Sequence, residues 1–134
     1  MKNETKILKL NLDYKVDKDA KIKESVKGDD GKDTIVERDP TQEEIDDNKA
    51  DISKSYIEYA VTASYAEGLN NQFRKMYANI QVKIQNAIDF KHYEVELEKS
   101  EVKFIQDAFR DEKTKFTPKL AMYVTVLEDA IFGL

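Results

Sequence analysis

Residues 6–17 read Lys6-Ile7-Leu8-Lys9-Leu10-Asn11-Leu12-Asp13-Tyr14-Lys15-Val16-Asp17. Apolar side chains fall at Leu8, Leu10, Leu12, Tyr14 and Val16, with polar ones between them. A period of two is the pattern of a strand with one buried and one wet face. The segment predicts an early strand that needs a covering layer.

Downstream, Ile22 and Val26 precede the turn Gly28-Asp29-Asp30-Gly31, and Thr34-Ile35-Val36 follow it. The two glycines supply the positive φ of a tight reversal, so residues 20–38 read as a hairpin. Its strands are short and highly charged, which predicts a mobile flap. Lysines along its edges oppose stray strand pairing.

Beyond the hairpin the period changes to that of a helix. Thr41 and Glu44 have capping-box spacing, and a helical pattern runs from about Ile45 to Ala66. Gly68 and Asn70-Asn71 interrupt it. A second helix covers about 72–88, with Phe73, Met76, Tyr77, Ile80, Ile84, Ala87 and Ile88 on one stripe. Residues 93–97 alternate like a small strand. Ser100 is expected to cap a third helix at about 101–111, and Thr117-Pro118 to start a fourth. The expected fold class is α+β. A small N-terminal antiparallel sheet or hairpin in residues 1–38 is followed by about four helices in residues 40–134, as a single domain over 1–134.

Size and composition limit the function classes. A chain of 134 residues buries enough surface to need no covalent staples, and it has no cysteine, so disulfides and thiolate chemistry are excluded. No apolar run reaches the length of a membrane span, and residues 1–6 do not lead into an apolar signal core. We therefore expect a cytoplasmic protein. The net charge is −5, and residues 39–66 hold seven acids against two lysines. A phosphate backbone would be repelled there, so neither direct nucleic-acid binding nor a membrane partner is expected.

Catalytic parts are sparse. His92 is the sole histidine and the one candidate acid or base, and no Ser lies in a nucleophile elbow. Gly28 and Gly31 fit a turn rather than a phosphate loop, and Asp29, Asp30 and Asp33 lack the ligand spacing of a calcium loop. No enzyme activity, cofactor or metal is expected.

The first helix carries two apolar stripes. Ile52, Tyr56, Tyr59, Ala63 and Ala66 form one, and Ile57, Val61 and Tyr65 form another, roughly opposite. A helix covering a sheet needs one stripe. The second either meets more of the same domain or presents Ile57, Val61 and Tyr65 to a partner. Glu43, Glu44, Asp46, Asp47 and Asp51 lie at the start of this helix. They form either a dipole-matched helix start with a solvated face or an acidic docking surface.

The strand Leu10-Asn11-Leu12-Asp13-Tyr14, the turn Gly28-Asp29-Asp30-Gly31-Lys32, the run Val95-Glu96-Leu97-Glu98-Lys99-Ser100-Glu101-Val102 and the final helix from Pro118-Lys119-Leu120 to Leu127-Glu128-Asp129-Ala130-Ile131 form a pattern. In that order it resembles small accessory proteins encoded by bacteriophages, whose functions are mostly unassigned. The resemblance implies a phage origin and a virion, assembly or inhibitor role. The expected function is a non-enzymatic protein-binding protein that docks on a host or defence protein through the helix face and the acidic surface. The alternative is a self-associating virion or assembly component, a homo-oligomer.

Overall fold

The computed structural model describes residues 4–15 and 21–134. Val16, the last apolar residue of the expected strand, lies outside them, as does the first residue of the expected hairpin.

The elements are strands β1 (Thr5–Lys9), β2 (Ile22–Lys27) and β3 (Asp33–Arg38), helices α1 (Gln42–Ser64) and α2 (Asn71–Asp89), strand β4 (Glu94–Glu98), helix α3 (Lys99–Arg110), a 3-10 turn (Pro118–Leu120) and helix α4 (Ala121–Phe132). The fold is α+β, with two separate two-stranded antiparallel sheets, β1–β4 and β2–β3.

In the first sheet Leu8 lies opposite Val95 and Lys6 opposite Leu97. Leu8, Leu10, Val95 and Leu97 are buried beneath the helices. The other face carries Ile7 and Lys9 against Glu96 and Glu94, all exposed. The alternation thus predicts which side chains turn inward, but the strand is shorter than expected. After Lys9 only the Leu10 N–H still reaches across, to the Tyr93 carbonyl at 2.8 Å. Leu12 N–H then donates to Leu10 O and Tyr14 N–H to Leu12 O. These i to i−2 bonds fold the chain into successive tight turns while Leu10 and Tyr14 stay in the core.

Local sequence explains most helix ends. Thr41 caps α1, its hydroxyl accepting from Glu44 N–H while Glu44 accepts from Thr41 N–H. Asn70 caps α2 through Phe73 N–H. For α3 the expected cap at Ser100 is corrected. The helix starts at Lys99, and Glu101 reaches back to accept from Glu98 N–H at 2.9 Å. Ser100 therefore lies inside the first turn.

The core joins α1, α2, α3 and the inner face of β1–β4, with α1 packed chiefly against α3. Tyr65 stacks on Phe104 with ring centroids 5.4 Å apart and also meets Phe73, tying three helices together. One buried polar group serves the same core. Ser53 donates to Leu10 O at 2.6 Å and takes up the Tyr14 hydroxyl at 2.8 Å. A serine has one proton to give, so Tyr14 is the donor in the second bond.

Candidate functional site

Both stripes of α1 meet other parts of the chain, that of Ile57 and Val61 closely and that of Tyr56 and Tyr59 in part. Ile57 and Val61 are fully buried, on a stripe with Ala50, Ser53 and Ala60. Tyr65 is half-buried in the aromatic stack described above. On the other side the link between α3 and α4 comes over the helix. Phe116 lies 5.6 Å from the Tyr56 ring and 4.8 Å from that of Tyr59, and the Tyr59 hydroxyl donates to Lys115 O at 2.5 Å. Ile57, Val61 and Tyr65 therefore do not form an exposed docking face. This corrects the partner reading of that stripe. What the sequence hides is that a connector, not a regular element, meets the opposite side.

The acidic residues separate in the same way. Asp46 accepts from Asn11 and Gln42 at 3.2 and 3.3 Å. Asp47 accepts from Lys91 and from the Tyr93 hydroxyl, each at 2.6 Å. Burial pushes the Asp47 carboxyl up, but these two bonds outweigh it and hold the group below its ordinary value. Tyr93, whose φ of +57° is unusual outside glycine, moves the other way: burial and the Asp47 bond raise its hydroxyl. Glu44 is clamped by Arg38. Glu43 lies in a 3.6 Å pair with Lys91, and Asp51 is exposed and makes no ion pair among the described residues. Three of the five acids, Glu44, Asp46 and Asp47, thus also hold α1 to the rest of the chain, while none of the five is buried.

Exposed apolar side chains are scattered singly at Ile7, Tyr59, Val82, Phe90 and Met122, and three more, Val26, Ile35 and Val36, gather on the β2–β3 hairpin. The turn closes through Gly28 N–H to Lys32 O and Gly31 N–H to Gly28 O, each 2.9 Å, with Gly31 at φ +77°. Opposed charges at Lys23–Glu37 and Lys27–Asp33 support the register. One face carries Ile22, Glu24, Val26, Thr34, Val36 and Arg38, with Val26 and Val36 on a diagonal. Ile35 projects from the other face beside Ser25. Val26, Val36 and Ile35 are exposed, Ile35 at 71 %. Among the described residues neither strand pairs with anything but the other.

The hairpin is held at its base. Arg38 Nη1 and Nη2 donate to the two Glu44 oxygens at 2.6 and 2.9 Å, while its Nε donates to Glu24 at 2.6 Å. Lys21 pairs with Asp39 beside it. The Arg38 bonds, with the Thr41 N–H, draw the Glu44 carboxyl down to about 2. One carboxylate therefore both caps α1 and fixes the arm. The sequence signal for this arm is the consecutive pair Ile35-Val36. Adjacent strand residues face opposite sides, so no single buried face can cover both.

His92 is exposed on a groove of about 540 Å³ along the outer face of β1–β4. Its Nδ1 accepts from Glu94 N–H at 3.5 Å, and no hydrogen bond joins the ring to a carboxylate or hydroxyl. Among the described residues no group of three or more His, Asp or Glu could hold a metal ion. No described helix is long and apolar enough to cross a membrane. No protein-family model matches the chain, and comparison with curated proteins and with solved structures returns no match.

Proposed function

We propose that this chain is a protein-binding protein whose contact element is the β2–β3 arm. The observation that carries the reading is an exposed hairpin with Val26, Ile35 and Val36 in solvent and both strand edges open. A two-stranded hairpin is marginal in water, and open edges with apolar side chains are what strand addition uses. The clamp at Arg38 supports the same reading, because it presents the arm at a set place on the body. Glu43 and Asp51 add charge nearby that can steer a basic partner.

In line with the phage resemblance, the partner we favour is a host or defence protein. The test compares affinity capture by the parent chain and by Val26→Thr/Ile35→Thr/Val36→Thr. Threonine keeps the β-branch and so the strand preference, but removes the apolar surface. A protein retained stoichiometrically by the parent and lost with the variant supports the arm as the contact. Equal retention by both removes the arm from the function. A second reading, self-association into an assembly component, uses the same open edges. It requires a mass above one chain in light scattering that falls to one chain in the variant.

A further inference from the structure

We propose that the cleft between β1, α3 and the end of α4 is a binding site for a small organic oxyanion, a phosphate or carboxylate carried on an apolar body. The cleft has a volume of about 450 Å³, inside the usual range for small-molecule sites, roughly 300–1,000 Å³. Its floor is one face of α3. Lys99, Val102, Lys103, Gln106 and Arg110 line it at i, i+3, i+4, i+7 and i+11.

Four cations border this concavity in a chain of net charge −5. Lys103 is held by Asp107 at 2.9 Å. Among the described residues Lys6 and Lys99 form no ion pair. Topology brings these two together. Lys6 sits opposite Leu97, and Lys99 follows two residues later as the first residue of α3. At the far end the Arg110 guanidinium lies 4.7 Å from the centroid of the Phe132 ring. This cation–π contact places the guanidinium over the ring, and its N–H groups have no acceptor among the described residues. Glu4, which has no ion pair among the described residues, and Leu134 also border the cleft.

Around the cleft the four cations outnumber the carboxylates of Glu4 and Asp107, so an entering anion meets a surplus of positive charge. The oxyanion is placed between Lys6 and Lys99, where two charge-assisted hydrogen bonds are available. The apolar body lies over Val102 towards Arg110, which is about 16 Å from Lys99 along the helix axis. The wall there is fixed, because Gln106 Nε2 donates to Ile131 O at 3.0 Å and ties α4 to α3.

The experiment is an amide-shift titration of the full chain with phenyl phosphate, and in parallel with inorganic phosphate, in 150 mM salt on the order of the physiological level. Saturable shifts at Lys6 and along the 99–110 face are expected, with the β2–β3 amides unmoved and inorganic phosphate weaker. Lys6→Gln with Lys99→Gln should weaken binding about tenfold or more. Lys99→Gln alone, at an exposed position of the first helical turn, is the second variant and should weaken phenyl phosphate by a smaller factor if the double variant disturbs the fold. Shifts that do not saturate, or an affinity unchanged in the variants, overturn the site. Equal affinity for the two phosphates overturns the apolar body.

Discussion

The body and the arm use the same residue types to opposite ends. In the body, isoleucines and valines such as Ile57, Val61, Ile80 and Val95 are buried against three helices and a sheet face. In the arm, Val26, Ile35 and Val36 lie in water, on a hairpin held by its backbone ladder, cross-strand charges and the ion pairs of Arg38 and Lys21 at its base. The difference shows where stability resides. Burial of apolar area holds the body together, and the arm contributes almost none of it. Mutations should therefore separate into those that unfold the molecule and those that change only what it presents.

The largest effect is expected at Ile57. Ile57→Ala should cost about 2–5 kcal/mol in chemical denaturation, and Ile57→Asp should prevent folding. A well-folded Ile57→Asp protein would mean that this side chain faces solvent, and the contrast with the arm would collapse. Ser53→Ala comes next. It leaves the Leu10 carbonyl and the Tyr14 hydroxyl without their buried partner. The expected cost is about 1–3 kcal/mol, read as a lower denaturation midpoint at unchanged slope.

The same contrast explains what was legible in the sequence. Side-chain alternation at Leu8, Leu10 and Tyr14, the Thr41–Glu44 box and the Gly28–Gly31 turn are local signals, and each appears in the fold. The pairing of β1 with β4 is not local, because its residues lie about ninety positions apart and short alternating strands carry no label for their partner. The early end of β1 is hidden for a related reason. Leu10, Leu12 and Tyr14 point inward in tight turns much as they would in a strand. The candidate site was misplaced because periodicity shows that α1 has two apolar stripes but not that Phe116 arrives from a connector to cover one. Asp46 and Asp47 likewise look free in the sequence, since Asn11, Lys91 and Tyr93 are remote.

A smaller effect, confined to the arm, is expected from acid. The Glu44 carboxyl titrates at about 2 instead of its ordinary 4.5. A folded-state value below the unfolded one gives a contribution present above about 4.5 and lost as pH falls through about 2. Protonation weakens the grip of Glu44 on Arg38, so amides of β2 and β3 should lose hydrogen-exchange protection over that window before those of α2 do. Arg38→Gln should produce the same loss at neutral pH. If the arm and body amides instead open together, the clamp does not act separately from the core.

The smallest effect on stability, and the most informative about function, is expected from threonine at Val26, Ile35 and Val36. These side chains are exposed on both faces of a sheet that covers nothing, so replacing them removes little buried area. The free energy of unfolding should change by no more than about 0.5 kcal/mol. The Lys23–Glu37 and Lys27–Asp33 pairs and the β-branched replacements should keep the ladder, seen as unchanged protection of the arm's cross-strand amides. Partner capture should nonetheless be lost. If the substitutions instead lower the free energy of unfolding well beyond that, the arm packs on the body in solution and its apolar side chains serve folding. If stability and capture both stay unchanged, the arm is neither core nor contact, and the contact must lie on another exposed apolar residue, for which Phe90 on the α2–β4 link is the most exposed candidate.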